Sequence, residues 1–326
     1  MNVHFSKIKI DYFVLATITV IALAYFFPIS NSYVSNGLTQ FSRIGIACIF
    51  FFYGLKLDAA KIKQGLKNWK LHVLIQSSTF LFFPILILPF YFLISSPQTE
   101  KIWLAFLFLA ALPSTVSSSV VFVSIAKGNL PAAIFNASIS GLIGIMVTPL
   151  WMSFFISNEV AAFDLHTIYY KLLIEIIVPI LLGLLLQSYF GKYAHKNASL
   201  LSKFDKSIIL LIIYLSFSDA FQQRIFSSVS FLNLVSITLC VITLFYTMFY
   251  STAYIARKLH FNQEDETTAQ FCGTKKSLVH GTVFSHILFP STFPIGLLLL
   301  PLMLFHSFQL FIVSIYASKR ASNTNK

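Results

Sequence analysis

Five stretches of this 326-residue chain, 71–99, 102–126, 128–158, 225–256 and 277–318, contain no Asp, Glu, Lys or Arg. Each exceeds the roughly 20 residues with which one helix crosses a bilayer core. A chain in hydrocarbon must satisfy its own backbone hydrogen bonds, so such runs predict helices. Only 10% of the residues are charged and 57% are hydrophobic, against about 25% charged in a soluble domain. A water-facing surface cannot be assembled from so few charges, and disorder needs low hydrophobicity. The fold class is therefore an all-α polytopic membrane protein.

The run 277–318 is too long for one helix, and Pro290 and Pro294 mark where it divides. Its first part completes a polar span at 267–289, and with segments at about 11–29, 38–57, 168–190 and 207–223 the predicted spans number ten. Basic residues favour short cytoplasmic loops. With the N terminus inside, 17 of them fall inside: Lys7, Lys9, Lys56, Lys61, Lys63, Lys67, Lys70, Lys127, Lys192, Lys196, Lys203, Lys206, Arg257, Lys258, Lys319, Arg320 and Lys326. Outside fall only Arg43, Lys101, Lys171 and Arg224, while Lys275 and Lys276 lie within a span. Both termini are then cytoplasmic, and the formal charge of +12 is an orientation signal and not a nucleic-acid footprint. Ala22-Leu23-Ala24 resembles a signal-peptidase site, but cleavage there would upset this parity. Cys48, Cys240 and Cys272 are far apart and the eight histidines show no HExxH spacing, so no metal and no cofactor is expected.

Ten spans divide into two sets of five, the second inverted relative to the first, as in many secondary transporters. On this reading 1–156 is the first repeat, 157–167 an extracytoplasmic linker, 168–318 the second repeat and 319–326 a cytoplasmic tail. Corresponding spans of the two halves are broken. The fourth carries Pro113 with Ser114, Thr115, Ser117, Ser118 and Ser119, and the ninth carries Gly273, Thr274, Lys275, Lys276 and Ser277. Unwound backbone at membrane depth is tolerated where it lines a cavity or binds something. A half-helix N-terminus there favours an anion. Hydroxyls also serve simply to bond the i−4 carbonyl or to let helices pack. For the lysines the alternative is snorkelling: helical neighbours point about 100° apart, so one can reach the headgroups while the other faces inward.

Further polar positions are candidates. Gln76 in the third span either faces the core or bonds a neighbouring helix. In the fifth, Asn136 and Ser138 are divided between packing and ligation, whereas Ser140, Gly141 and Gly144 suit packing. In the sixth, Lys171 and Glu175 are spaced to pair, with Glu175 a possible proton carrier; Asp219 in the seventh reads as interfacial.

Leu112-Pro113-Ser114-Thr115-Val116-Ser117-Ser118-Ser119, Ala126-Lys127-Gly128-Asn129 and Phe271-Cys272-Gly273-Thr274-Lys275-Lys276-Ser277-Leu278 resemble the bile acid:sodium symporter superfamily. Within it the likeness is to an orphan branch of bacterial symporter-like proteins related to a eukaryotic member linked to calcium homeostasis. The resemblance runs nearly end to end. It implies a panel domain of helices 1, 2, 6 and 7, a core domain of helices 3–5 and 8–10 with helices 4 and 9 crossing at their breaks, and a bacterial inner membrane. Sodium-coupled members carry a glutamate and a glutamine around the ninth-helix break; here stand Phe271, Lys275 and Lys276, and Ala133 and Ala137 replace hydroxyls on the fifth helix. An ammonium repels a cation at low effective dielectric.

The expected function is thus a secondary transporter moving a small organic anion by alternating access, with Lys275 or Lys276 replacing bound Na+ or touching the anion. Coupling to H+ in a proton-coupled exchanger is the alternative, followed by a channel or a non-transporting membrane regulator. No GxGD motif, metal-ligand spacing or aspartate-rich prenyl-diphosphate motif points to an enzyme.

Overall fold

A computed structural model describes residues 12–29, 31–57, 68–115, 117–156, 165–222, 224, 231–290 and 293–323. Lys7, Lys9, Lys61, Lys63, Lys67 and Lys326, and most of the predicted linker, lie outside them. Among the described residues every regular element is a helix. In chain order they are α1 (Tyr12–Phe26), α2 (Ser32–Lys56), α3 (Trp69–Leu93), α4 (Pro97–Ala111), α5 (Ser117–Ile125), α6 (Leu130–Ser153), α7 (165–185), α8 (Gln187–Lys196), α9 (Ala198–Gln222), α10 (Phe231–Lys258), α11 (Gln263–Gly273), α12 (Leu278–Leu288) and α13 (Ile295–Asn323).

Asn31, Asn68, Asn129 and Asn262 each cap a helix start by accepting from an N–H two or three residues on, and Ser96 with Thr99 forms a capping box. Two helices change pitch internally. α3 contains a π turn at Ser78–Phe82, and α7 one at Leu173–Ile177. The expected Lys171–Glu175 pair is not made: the ion pairs among the described residues are Lys56–Asp205, Arg257–Glu266 and Arg320–Glu266. Lys171 is exposed while Glu175 is half buried, so a four-residue spacing permits the pair without enforcing it.

Six helices are long and apolar enough to cross a membrane: Tyr33–Lys56, Trp69–Leu93, Leu130–Ser153, His166–Leu185, Phe231–Lys258 and Ile295–Ala321. The outer surface carries large apolar side chains, among them Phe92 (88% exposed), Phe231 (81%) and Leu185 (73%), while Lys275, Lys276 and Gln309 are fully buried. That inverted distribution is stable only where the surroundings are hydrocarbon. This is an integral membrane protein.

One group of helices is α1, α2, α7, α8 and α9. α2 and α7 cross where Gly54 meets Gly183: a Cβ on Gly54 would stand 2.2 Å from the Ile180 carbonyl oxygen, and one on Gly183 2.2 Å from that of Phe51, so only glycine permits this approach. The other group is α3 to α6 with α10 to α13, packed around the rings of Phe83, Phe245, Phe249, Phe271 and Phe305.

At the end of the second group where the basic loops lie, buried Asp265 accepts from Asn68 (2.6 Å) and Asn129 (2.7 Å), tying the starts of α3, α6 and α11 together. Beside it Glu266 accepts from Arg257 (2.9 Å) and Arg320 (3.3 Å). Burial alone would raise the Glu266 pKa, but the two guanidiniums outweigh it and the net shift is downward. Asp219, near the other end, is exposed.

Candidate functional site

Both predicted breaks are present: α4 stops at Ala111 before α5 begins at Ser117, and α11 stops at Gly273 before α12 begins at Leu278. The two breaks touch. Ser277 N donates to the Pro113 carbonyl (2.9 Å) and Ser114 Oγ to the Cys272 carbonyl (2.7 Å). α6 supports the crossing: Ser114 N donates to Ser140 Oγ (2.9 Å), Thr148 Oγ1 donates to the Ala111 carbonyl (2.8 Å), and Gly144 leaves room for the Pro113 ring. Thr274 Oγ1 closes α11 on the Gln270 carbonyl (2.6 Å), and Ser277 Oγ caps α12 by accepting from His280 N (3.3 Å). These bonds take up part of the polar backbone that a break strands in hydrocarbon.

Three carbonyls are left to one side chain. Lys276 Nζ donates to Thr79 O (2.6 Å), Ala110 O (2.6 Å) and Leu112 O (2.9 Å), and sits over the Phe83 ring at 4.1 Å. Prolines explain why two of these oxygens are free. In the π turn, Phe83 N bonds Ser78 O, so the next N–H, the one for Thr79 O, would come from residue 84, which is Pro84. Ala110 O likewise has Pro113 three residues on, and four residues on an N–H, that of Ser114, already bound to Ser140. Leu112 O belongs to the unwound stretch. The C-terminal dipole of α4 adds negative potential at the same point. Gln309 holds the lysine backbone from α13, accepting from Lys276 N (2.9 Å) and donating to Lys276 O (2.8 Å).

Lys275 is buried as completely but is held differently. Its Nζ donates to Ser118 Oγ at 3.4 Å and lies 4.2 Å above the Phe122 ring. Ser118 continues into a hydroxyl chain, Ser118 Oγ to Thr115 Oγ1 (2.8 Å) to Ser119 Oγ (3.0 Å). Neither lysine snorkels, which corrects the division expected from helical geometry. Residues 274–277 are not helical, so the 100° step does not apply to them, and both side chains end inside the protein.

Thr115, Ser118 and Phe122 form one wall of a cavity of about 560 Å³ between the two helix groups. Ser138, Ser277, His280 and His306 also line it, and Lys56, Asp205 and Lys206 lie at its end towards the start of α1. Lys56 is 3.7 Å from Asp205, whose pKa burial raises to about 6 against the attraction of the lysine. The volume is in the range of small-molecule sites.

Of the other predicted residues, Gln76 makes a bond between helices, donating to Asn136 Oδ1 (3.1 Å), and Asn136 donates in turn to His72 Nδ1 (2.7 Å). Ser138 bonds the Ile134 carbonyl four residues back (2.8 Å). Glu175 is half buried on α7 and does not line the cavity. The side chain of Ser117 lies outside the described residues. Thr79, Gln309, His280 and His306 were not singled out by the sequence; a lone amide in an apolar span was the available signal for Gln309, and Pro84 for Thr79.

The profile of the SBF-like CPA transporter family matches residues 11–322. An uncharacterized protein of Pseudomonas aeruginosa is 36% identical over 311 residues, covering 95% of this chain and 93% of that protein. The Escherichia coli protein named "Putative symporter YfeH" is 35% identical over 317 residues, covering 97% and 95%. Sodium/bile acid cotransporter 7 of Xenopus tropicalis is 26% identical over 322 residues, covering 95% and 91%. With two broken helices meeting at buried lysines beside a cavity, and a match along nearly the whole chain, this protein belongs to the SBF-like CPA transporter family, a family of transporters and not of enzymes.

Proposed function

We propose that the protein is a secondary transporter that carries a small organic anion across a bacterial inner membrane by alternating access, with a built-in lysine charge in place of a coupling sodium ion. The carrying observation is the seat of Lys276, whose ammonium takes three main-chain carbonyls in the manner of a bound cation. Carbonyl oxygens are ligands for hard cations. A covalently attached ammonium there cannot be exchanged with the bath.

The proposed topology is ten crossings in two inverted repeats, 1–156 and 168–318, both termini inside. The six long helices, α1, α9 and the broken pairs α4–α5 and α11–α12 supply that number. α1, α2, α7 and α9, with the short α8, would be the panel that moves against α3 to α6 and α10 to α13. Contacts between the groups support an inward-facing state. Away from the basic end they close on each other, with Tyr169 OH donating to Met146 O (2.9 Å) and Ser216 Oγ sharing a hydrogen bond with His286 Nε2 (3.1 Å). Towards the basic end lies the cavity, with Lys56 and Lys206 to attract an anion.

Purified protein melted in detergent with taurocholate, a bile acid anion, should be stabilised equally in NaCl and KCl, and proteoliposomes should take taurocholate up at equal rates in both. Stabilisation by sodium alone, with uptake unchanged in Lys275→Ala and Lys276→Ala, would overturn the substituted-cation reading.

A further inference from the structure

We infer that Lys275 is a reversible proton-binding site joined to the cavity by a hydroxyl chain, so that protons take the coupling role that Lys276 denies to sodium. The inference rests on the transporter reading and adds the identity of the coupling ion.

The geometry separates this lysine from a structural one. Three N–H donors stand at Lys275 Nζ, and its one hydrogen bond among the described residues is the long one to Ser118. A buried ammonium normally finds a carboxylate or several carbonyls. Lys276, one residue on, has found three carbonyls. Around Lys275 no carboxylate lies within ion-pair distance among the described residues. α5 presents Ser118 and the Phe122 ring; α11 presents the Cys272 thiol; Lys276 follows in the chain with its charge engaged elsewhere. His280 of α12 and His306 of α13 face the adjoining cavity, whose distant end holds Lys56, Asp205 and Lys206. His280 is committed to Ser277 Oγ (2.9 Å) and His306 to Gln309 (2.9 Å). An ammonium so placed gains little from its surroundings over the neutral amine, and that near-balance is what a group that loads and unloads a proton requires.

The chain Lys275 Nζ, Ser118 Oγ, Thr115 Oγ1 supplies the route, because Ser118 and Thr115 are residues of the cavity wall while Lys275 itself is 0% exposed. Each hydroxyl can donate and accept. In the release step an N–H bond of Lys275 breaks, Ser118 takes that proton as it passes its own to Thr115, and Thr115 passes its proton to a cavity water, leaving a neutral amine. The anion binds beside the charged form, and the empty carrier returns with the amine, so one proton accompanies each negative charge.

The test is a pH jump from 8 to 6 on proteoliposomes adsorbed to a solid-supported membrane, without any substrate. Wild-type protein should give a transient charge displacement, Lys275→Met and the permanently charged Lys275→Arg should lose at least nine-tenths of it, and Ser118→Ala should slow it several-fold. Monodispersity by size exclusion establishes that each variant is folded, and Ser118→Ala, which keeps the lysine, serves where Lys275→Met does not fold. A transient of wild-type size in Lys275→Met or Lys275→Arg, or of wild-type speed in Ser118→Ala, overturns the proposal and leaves anion transport standing. A transient that depends on Lys275 in a protein that moves no anion supports the proton site while removing the transport reading.

Discussion

Lys275 and Lys276 share a chemical identity, a backbone break and complete burial, yet their surroundings differ in kind. Around Lys276 are three carbonyl oxygens within 2.9 Å, supplied by α3 and by the end of α4, and its backbone is clamped by Gln309. Around Lys275 are a ring face and one hydroxyl at 3.4 Å. Removal from water costs both ammonium groups the same, and only one of them recovers that cost in hydrogen bonds. A buried charge with every donor engaged is part of the architecture; one with donors to spare, beside a cavity, is available for work.

The largest expected effect follows directly. Lys276→Met removes the ammonium and strands three buried carbonyls, each costing about 1 kcal/mol or more, so a loss of about 3 kcal/mol is expected in urea titrations of the detergent-solubilised protein. Lys275→Met gives up one long hydrogen bond and sheds a desolvated charge, and should be neutral or stabilising. A larger loss at 275 than at 276 would reverse the assignment of roles.

How far the sequence reveals this depends on which atoms carry the interaction. The two breaks were legible because a helix breaker with clustered hydroxyls recurs in corresponding spans of the two halves, although proline and hydroxyls also occur singly inside unbroken helices here, and the resemblance drew on the same residues. The cage of Lys276 was not, since its ligands are main-chain oxygens that leave no side-chain signature beyond Pro84 and Pro113. Reading residues 274–277 as helix put the two lysines about 100° apart and sent one to the headgroups; in the unwound backbone both turn inward, one to the α5 hydroxyl and ring and the other to carbonyls of α3 and the α4 end. The spacing of Lys171 and Glu175 likewise permitted a pair that the fold does not make, one side chain being exposed and the other half buried. The packing expected of Gly141 and Gly144 was legible, but not their neighbours, His280 and Pro113, which lie far away in the chain.

Gly144 offers a finer cut. A Cβ there would stand 2.8 Å from Pro113 Cγ, and Pro113 follows the Leu112 carbonyl that Lys276 holds. Gly144→Ala must displace the proline, an overpacking expected to cost about 1 to 3 kcal/mol and to lower the melting temperature by several degrees. Gly37→Ala, where a Cβ meets nothing within 4 Å, should be neutral or stabilising by about 0.4 to 1 kcal/mol. Equal effects of the two would mean that the break is loose and that the Lys276 seat does not depend on it.

The smallest effect concerns the opposite end of the cavity, where a charge does have its counter-ion. Asp205 lies just before the seventh predicted span, 3.7 Å from Lys56, and burial raises its pKa from 3.8 to about 6. A carboxyl with a raised folded-state pKa holds more protons folded than unfolded between pH 4 and 6, so its contribution to stability declines as pH rises through that window and is level above it. Two pKa units correspond to at most about 3 kcal/mol, and partial exposure reduces this to about 1 kcal/mol. The melting temperature of wild type minus that of Asp205→Asn should therefore fall by a few degrees between pH 4.5 and 7, most of it below pH 6.5. A flat difference would show that Lys56 compensates Asp205 in full, and the contrast with the uncompensated Lys275 would then be sharper still.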